Sequence, residues 1–246
     1  MIIDSHVHLK HGNVERTEYR PEQIVEIMDA AGVDRSVVFA MSTTTRRSIE
    51  MAAEAAETCA DRLIPYVYAL PGYERPVIDE LEEALDERGF HGIKIHIGEC
   101  RLHPYIADPV FTLAGDFGVP VLMDLGGDLA TGRRLASDFP ETKLIVAHFG
   151  RYLCTDRGLI DSFIQLAEDH PNVWLDASGV VLDWTIEDAV GRIGAERVLF
   201  GTDGPHPMPD LVRYVELAIQ QIEMLKVSDQ EKEMILGGSI AQLLGL

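Results

Sequence analysis

The sequence predicts an α/β fold, a single (β/α)8 TIM barrel that occupies residues 1–246. Apolar, β-branched runs alternate with amphipathic helical runs eight times. The predicted strand ends lie about 25 to 33 residues apart, which is the length of one βα unit. Several strands are continuous apolar runs, as parallel strands covered on both faces must be. A doubly wound open sheet is the alternative, but neither a Gly-x-Gly-x-x-Gly motif nor a Walker loop follows any strand.

The predicted elements begin and end with ordinary signals. A first strand over Ile2–His8 precedes a helix over Pro21–Gly32, which has proline in its first turn and glycine at its end. The other strands are predicted at Arg35–Met41, Leu63–Leu70, His91–Ile97, Val119–Leu125, Lys143–Phe149, Val173–Ala177 and Arg197–Thr202. The other helices are predicted at Ser48–Ala60, Val77–Arg88, Asp108–Phe117, Leu129–Asp138, Leu159–Glu168, Ile186–Ile193, Leu211–Leu225 and Glu231–Leu244.

Composition argues against several classes of partner. The formal net charge is −20, from 21 basic and 41 acidic residues, so phosphate groups of nucleic acid or of an anionic membrane would be repelled. The cysteines number three, which implies no disulfide framework, and neither a secretory signal nor an apolar run of roughly 20 residues is present. We therefore expect a cytoplasmic protein with a small-molecule partner, and homo-oligomerisation stays open.

Two histidines at the end of the first strand point to a metal site. His6 and His8 are two residues apart, so on a strand their side chains project from the same face. Two neutral imidazoles supply half of a tetrahedral or octahedral shell for a divalent cation. The alternative is a strand whose histidines only cap a core, and further ligands at the same end of the fold would decide against it.

Such residues recur at the ends of later strands. In a barrel of this kind the active site lies at the carboxyl ends of the strands. Strands four, five, six and eight bring ligand-type side chains to that region, namely Lys94 and His96, Asp124, His148 and Asp203, and strand seven contains Asp176. This regularity favours a metal site at the mouth of the barrel.

Together these segments resemble the amidohydrolase superfamily, in the amidohydrolase-related (amidohydrolase 2) branch, over the full length of the chain. The order of the motifs is more specific than any one of them. The matching segments are Ile3-Asp4-Ser5-His6-Val7-His8, Gly92-Ile93-Lys94-Ile95-His96, Pro120-Val121-Leu122-Met123, Val146-Ala147-His148-Phe149-Gly150, Leu199-Phe200-Gly201-Thr202-Asp203-Gly204-Pro205 and the closing segment Ile235–Gly245.

The resemblance implies a ligand set. His6 and His8 match the first-strand ligands of the family, His148 its sixth-strand histidine, and Asp203 the eighth-strand aspartate that contacts both the metal and the attacking water. Asp124 departs from the family, because many relatives have a histidine at the end of strand five. A carboxylate there can bind a hard divalent ion but changes the charge of the site and its metal preference.

Four residues are candidates for substrate binding. Lys94 lies in an apolar run, and three roles are open for it: a contact with a substrate carboxylate, a salt bridge to Asp124 or Asp203, or a carboxylated lysine that bridges two metals as in some relatives. A lysine that extends to solvent is the simplest alternative. His96 shares the face of Lys94 and can complete the metal shell. Arg101 and Arg151 follow strands four and six, where they could bind an anionic group.

We therefore expect an enzyme, a metal-dependent hydrolase of the amidohydrolase-related type. A divalent cation, zinc or alternatively manganese, would activate water to cleave a C–N amide or lactone bond. Asp203 and His148 are the expected catalytic residues, and Asp203 would carry the proton from water to the leaving group. The first alternative is a metal-dependent decarboxylase of an aromatic or unsaturated acid. Loops of only about a dozen residues after strands one and four favour hydrolysis over it. The second alternative is a barrel that binds ligand without catalysis.

Overall fold

The strands form a nearly closed parallel barrel, as the sequence predicts. A computed structural model describes residues 1–206 and 208–246 of the chain. Within these residues, eight strands follow one another around the sheet in the order of the sequence, and all the neighbouring pairs are parallel. The strands are β1 Ile3–Lys10, β2 Arg35–Ala40, β3 Leu63–Tyr68, β4 Gly92–His96, β5 Val121–Asp124, β6 Leu144–Val146, β7 Val173–Asp176 and β8 Val198–Leu199.

Helices follow each of the strands. The helices are α1 Pro21–Ala31, α2 Thr45–Thr58, α3 Ile78–Glu87, α4 Pro104–Phe117, α5 Leu129–Asp138, α6 Arg157–Asp169, α7 Asp183–Ile193, α8 Leu211–Glu223, α9 Asp229–Glu233 and α10 Ser239–Leu244. Helix α4 begins four residues before the predicted Asp108, because Pro104 occupies its first turn, where a missing N–H costs nothing. No helix in the described residues has the length and apolarity needed to cross a membrane.

The last predicted helix is interrupted where it meets the barrel. A π-helical turn over Met234–Gly238 separates α9 from α10. A Cβ on Gly237 would lie 2.4 Å from the carbonyl oxygen of Met1, so only glycine fits this approach. The neighbouring Ile235 carbonyl accepts a hydrogen bond from the backbone N–H of Phe200 at 3.0 Å. The end of the chain therefore supports both the first and the last strand.

The two strands that fall furthest short of their predicted length, β6 and β8, end where the chain bends into the site. Strand β6 stops at Val146, and a tight turn over Ala147–Gly150 follows, in which His148 has a φ of 58°. Strand β8 stops at Leu199, because the backbone beyond it bonds to β1 in an irregular pattern. The Ser5 N–H donates to the Phe200 carbonyl at 3.0 Å, and the Asp203 N–H donates to the His6 carbonyl at 2.9 Å. These bonds bring the ends of the sheet together.

The barrel interior changes from apolar to polar along its axis. A buried cluster of inward-facing apolar side chains includes Phe39, Tyr66, Leu122, Ile145 and Leu199. A second and larger cluster packs the outer face of the sheet against the helices. At the carboxyl ends of the strands, the buried residues are instead charged or polar, among them His6, His8, Lys94, His148 and Asp176. The fold therefore presents its polar groups at one mouth.

Candidate active site

The structure brings His6, His8 and Asp203 together, and these three residues are referred to below as the ligand trio. Asp203 Oδ1 lies 3.1 Å from His6 Nε2 and 2.9 Å from His8 Nε2. The aspartate has a φ of 59°, a left-handed conformation that aspartate tolerates better than most residues. The backbone N–H of Asp203 donates to the His6 carbonyl, and the carbonyl of the next residue, Gly204, accepts from the backbone N–H of His8. These two bonds align Asp203 with β1.

A buried carboxylate fixes the orientation of His6. The Nδ1–H of His6 donates to Asp176 Oδ2 at 2.8 Å, and Asp176 also accepts from the backbone N–H of Ser178. Gly201 permits this approach, since a Cβ there would lie 2.4 Å from Asp176 Oδ1 and 2.9 Å from His6 Cβ. Because Nδ1 of His6 is bonded to Asp176, its other ring nitrogen, Nε2, faces Asp203. Histidines that bind metals are commonly oriented in this way.

The residues of the trio fit a divalent cation. With Nδ1 bonded to Asp176, His6 Nε2 faces Asp203 Oδ1 at 3.1 Å, and a divalent cation would take the place of the proton that these two atoms otherwise share. Tetrahedral zinc with bonds of about 2.0–2.1 Å separates its ligand atoms by roughly 3.3 Å, close to the spacing observed here. The donor set, two imidazoles and a carboxylate, suits zinc or manganese.

A second group of possible ligand atoms comprises His6, His148 and Asp176. These residues already form hydrogen bonds without a cation: His148 Nδ1 donates to the Ser178 carbonyl at 2.9 Å, and His6 Nδ1 donates to Asp176. We therefore assign this group to the support of the trio. The Nε2 atom of His148 is left facing the cavity, 3.6 Å from Asp124 Oδ2.

Asp124 lies beside the trio and pairs with other residues. Its Oδ2 is 3.1 Å from His96 Nε2, and its Oδ1 accepts from the Gly126 N–H at 2.7 Å. Neither group of converging ligand atoms in the described residues includes Asp124. The predicted set of five ligands is therefore arranged as the trio plus an adjoining His148–Asp124 pair, with His96 next to that pair.

Lys94 reaches the trio from β4. The residue is 1% exposed, which rules out the simple alternative of a solvent-directed side chain. Its Nζ lies 3.1 Å from His6 Nε2 and 5.1 Å from the centre of the Phe39 ring. No ion pair within the described residues joins Lys94 to Asp124 or Asp203, so the expected salt bridge is wrong. A buried ammonium without a carboxylate partner leaves positive charge at the site.

An open cavity of about 510 Å³ lies over these groups. Its lining includes His8, Lys94, His96, Asp124, His148 and Asp203 from the predicted site, together with His11, Glu99, Tyr152 and His206. Two predicted substrate-binding residues lie elsewhere: Arg101 and Arg151 are exposed, and neither belongs to the described lining. The positive charge that faces the cavity therefore comes from Lys94, together with any cation that the trio would hold.

Burial and charge set the protonation states at the site. Burial lowers the pKa of Lys94, although Asp124 and Asp203 oppose the shift. Burial also lowers the pKa of His148, which keeps this imidazole neutral near pH 7. For Asp203, burial raises the pKa, but His6 and His8 outweigh it and hold the pKa well below its usual range. Asp203 and His148 are both bases before substrate binds.

Several supporting residues escaped the prediction. Asp176 stood out only as an acid in strand seven, and its pairing with His6 depends on the curvature of the barrel. Ser178 and Glu99 carry no motif, since their roles arise from loops that meet in space. His11 stacks on His8 with ring centres 4.1 Å apart, and the signal for it was a third histidine close behind the His-x-His pair.

The comparison with protein families decides the classification. The sequence model of a family described as amidohydrolase matches residues 3–246. The chain belongs to the amidohydrolase family. This confirms the resemblance found in the strand-end motifs, and the family match extends over the whole barrel. A comparison with curated proteins finds no match.

Solved structures of family enzymes share the fold. An amidohydrolase from Burkholderia multivorans with bound zinc has a TM-score of 0.77 at 18% identity, over 100% of this chain and 99% of that one. A dihydroxybenzoic acid decarboxylase from Polaromonas, with manganese and 2-nitroresorcinol, has a TM-score of 0.73 at 18% identity, over 100% and 97%. The 2,6-dihydroxybenzoate decarboxylase from Rhizobium has a TM-score of 0.72 at 16% identity, over 99% and 98%. Neighbours in the fold thus include metal-containing enzymes of more than one reaction class.

Proposed function

We propose that this protein is a metal-dependent decarboxylase of a small aromatic or unsaturated carboxylic acid. The observation that carries the proposal is the buried Lys94 ammonium, 3.1 Å from a nitrogen of the ligand trio, inside a cavity large enough for such an acid. A carboxylate placed there meets positive charge from both the lysine and the cation.

The structural comparisons support the same choice. Solved neighbours include decarboxylases of 2,6-dihydroxybenzoate and of 5-carboxyvanillate, as well as a hydratase of 4-oxalomesaconate. Their reported substrates are small carboxylic acids. The alignments span 97–99% of the dihydroxybenzoate enzymes, so the short loops of this chain give little reason to prefer hydrolysis. The decarboxylase, the first alternative in the sequence prediction, becomes the leading proposal.

Each residue of the site would have its own role in the reaction. His6, His8 and Asp203 Oδ1 would hold the cation, which supplies positive charge that stabilises the developing negative charge on the substrate. Lys94 would orient the carboxylate. The bond from the ring or alkene carbon to the carboxylate breaks, its electron pair stays on that carbon, and carbon dioxide leaves.

A proton must then reach the carbon that has lost its carboxylate. Asp203 lines the cavity; its Oδ1 is the oxygen next to His6 and His8, and its Oδ2 lies 3.8 Å from Nε2 of His206 in the same lining. We assign the transfer to Asp203: Oδ2 takes a proton from the substrate or from solvent and delivers it to the carbon. Solvent restores the proton, so one carboxylate and one proton become one C–H bond and one carbon dioxide.

Hydrolysis of a C–N amide or lactone bond is the second candidate. The observation in its favour is that both Asp203 and His148 are bases in the free protein, as activation of water requires. The zinc-containing amidohydrolase from Burkholderia multivorans has the same fold.

Product analysis separates the two candidates. The purified protein, loaded with zinc or with manganese, is incubated with hydroxybenzoic and unsaturated acids and, separately, with amides and lactones of similar size. We expect release of carbon dioxide from at least one acid, loss of that activity after chelation, and recovery when the cation is restored. Hydrolysis of an amide or lactone, with no carbon dioxide from any acid under either cation, contradicts the proposal in favour of the second candidate.

A further inference from the structure

The carboxylate of Glu99 is held by three hydrogen-bond donors at the edge of the cavity. Its Oε2 accepts from the backbone N–H of Ser42 at 3.1 Å and from the hydroxyl of Tyr68, and its Oε1 accepts from the hydroxyl of Ser42. Tyr68 is buried at the end of β3, while Ser42 follows β2 and Glu99 follows β4. One side chain therefore joins the mouths of three neighbouring strands.

This arrangement is maintained against a conformational cost. Ser42 has a φ of 53°, a left-handed conformation that is unfavourable for a residue with a side chain. Its backbone N–H and its hydroxyl both donate to Glu99, which holds it there. Strained residues of this kind cluster at ligand sites, where the surrounding structure stabilises them.

Glu99 also forms the wall between two cavities. It lines the cavity over the ligand trio, of about 510 Å³, and an adjoining one of about 530 Å³ that is lined by Arg16, Thr43 and Thr44 among others. Asn13 lines both cavities as well. The position of Glu99 therefore limits the size of a molecule in the cavity over the trio.

One acceptor position of Glu99 Oε1 has no hydrogen-bond partner among the described residues. A carboxylate oxygen accepts about two hydrogen bonds. In the part of the chain that the structure describes, two donors occupy Oε2 and one occupies Oε1. Gly12 lines the same cavity as the trio, and a Cβ at Gly12 would lie 3.3 Å from Oε1. The absence of a side chain at this position leaves Oε1 uncovered.

We propose that Glu99 determines specificity by accepting a hydrogen bond from a hydroxyl or amino group of the substrate through Oε1. A second carboxylate on the substrate at this position would be excluded, because two acceptors of like charge would face each other. This proposal rests on the proposed function, since it describes the small carboxylic acid that the enzyme would take: a monocarboxylate with a donor on its far side.

Binding of matched acids tests the role of Glu99. Dissociation constants are measured by calorimetry on the zinc-loaded protein for the three hydroxybenzoates, their methyl ethers and isophthalate. We expect at least one hydroxybenzoate to bind about tenfold to hundredfold more tightly than its ether, the range for a hydrogen bond to a charged group. Glu99→Gln should reduce this preference to below about threefold and strengthen isophthalate binding about tenfold, because the repelling charge is removed.

Two further variants distinguish a loss of the Oε1 hydrogen bond from a general disturbance of the Glu99 side chain. Tyr68→Phe removes a donor to Oε2 but leaves Oε1, so the preference for the hydroxyl group should persist. Glu87→Gln, at an exposed position on α3, is the matched control and should change nothing. If the wild type shows no preference for any hydroxyl group, or if Glu99→Gln retains it, the assignment is wrong, and the wild-type measurement decides even if the variant does not fold.

The result is independent of catalysis. A preference that depends on Glu99 without release of carbon dioxide contradicts the proposed reaction and supports the recognition role. If carbon dioxide is released but each hydroxybenzoate binds with the same affinity as its methyl ether, the recognition role is contradicted and the proposed reaction is supported.

Discussion

Two sides of the barrel mouth are built in different ways. On the side of β1, β7 and β8, the ligand trio consists of two buried residues of β1 and of Asp203, which lies beyond the end of β8 and is bonded to β1. Asp176 on β7 orients His6 at 2.8 Å. On the side of β2, β3 and β4, the loop residue Glu99 joins its neighbours through Ser42 and Tyr68. The first side places reactive groups and the second shapes the space for a substrate. In our proposal, the chemistry depends on residues that are on β1 or bonded to it, while selectivity depends on the segments that follow β2 and β4.

The strongest test of this division is Asp203→Asn. The amide loses the charge that faces His6 and His8 and cannot carry the proton, so turnover should fall by about 10²–10⁴-fold even at saturating cation. Steady-state kinetics with elemental analysis measures both effects. Asp86→Asn, an exposed aspartate on α3, should match the wild type. Full activity in the Asp203 variant would remove this residue from the chemistry.

A smaller effect is expected from Asp176→Asn. The substituted side chain would no longer present a charged acceptor to His6 Nδ1, so the orientation and basicity of the imidazole would change. Affinity for zinc should fall by about 10- to 100-fold, as for other residues that support metal ligands. Competition with a chromogenic chelator measures it, and Asp86→Asn again serves as the control. Unchanged zinc affinity would mean that the trio is independent of the buried carboxylate.

The smallest effect is expected on the loop side. Tyr68→Phe removes one hydrogen bond to Glu99 and should lower the free energy of unfolding by about 1–2 kcal/mol. Zinc affinity should not change, because Glu99 does not belong to the trio. Urea unfolding and the chelator competition measure the two quantities on the same preparation. A loss of zinc affinity comparable to that of Asp176→Asn would show that the two sides of the barrel mouth are coupled, which would contradict the division described above.

The same division explains what could be predicted from the sequence. The barrel was predictable because strand and helix patterns repeat, and His6, His8 and Asp203 because strand ends converge in any such fold. Glu99 was not, since its role depends on a turn at Ser42 that no local pattern specifies. Arg101 and Arg151 were placed in rim loops by the sequence, but proximity to a strand end does not determine which way a loop residue faces.

Prediction also reached its limit where the backbone departs from regular geometry. His148 was expected on a strand, and it lies in a turn with positive φ that turns its Nε2 towards Asp124. Strand β8 was expected to run to Thr202, but the closure bonds to β1 replace the regular ladder. These departures arise from tertiary contacts, which a run of apolar residues does not encode.

The distance along the chain between the members of the trio has a consequence for folding. His8 and Asp203 are 195 residues apart, so a cation held between them cross-links almost the entire polypeptide. A nascent chain that has not yet emerged past β8 lacks the complete trio, and a cation cannot guide its early collapse. Once the barrel has closed, each bound ion favours the closed form over every opened one by mass action. Cation supply would then govern how long the finished enzyme survives heat and proteases.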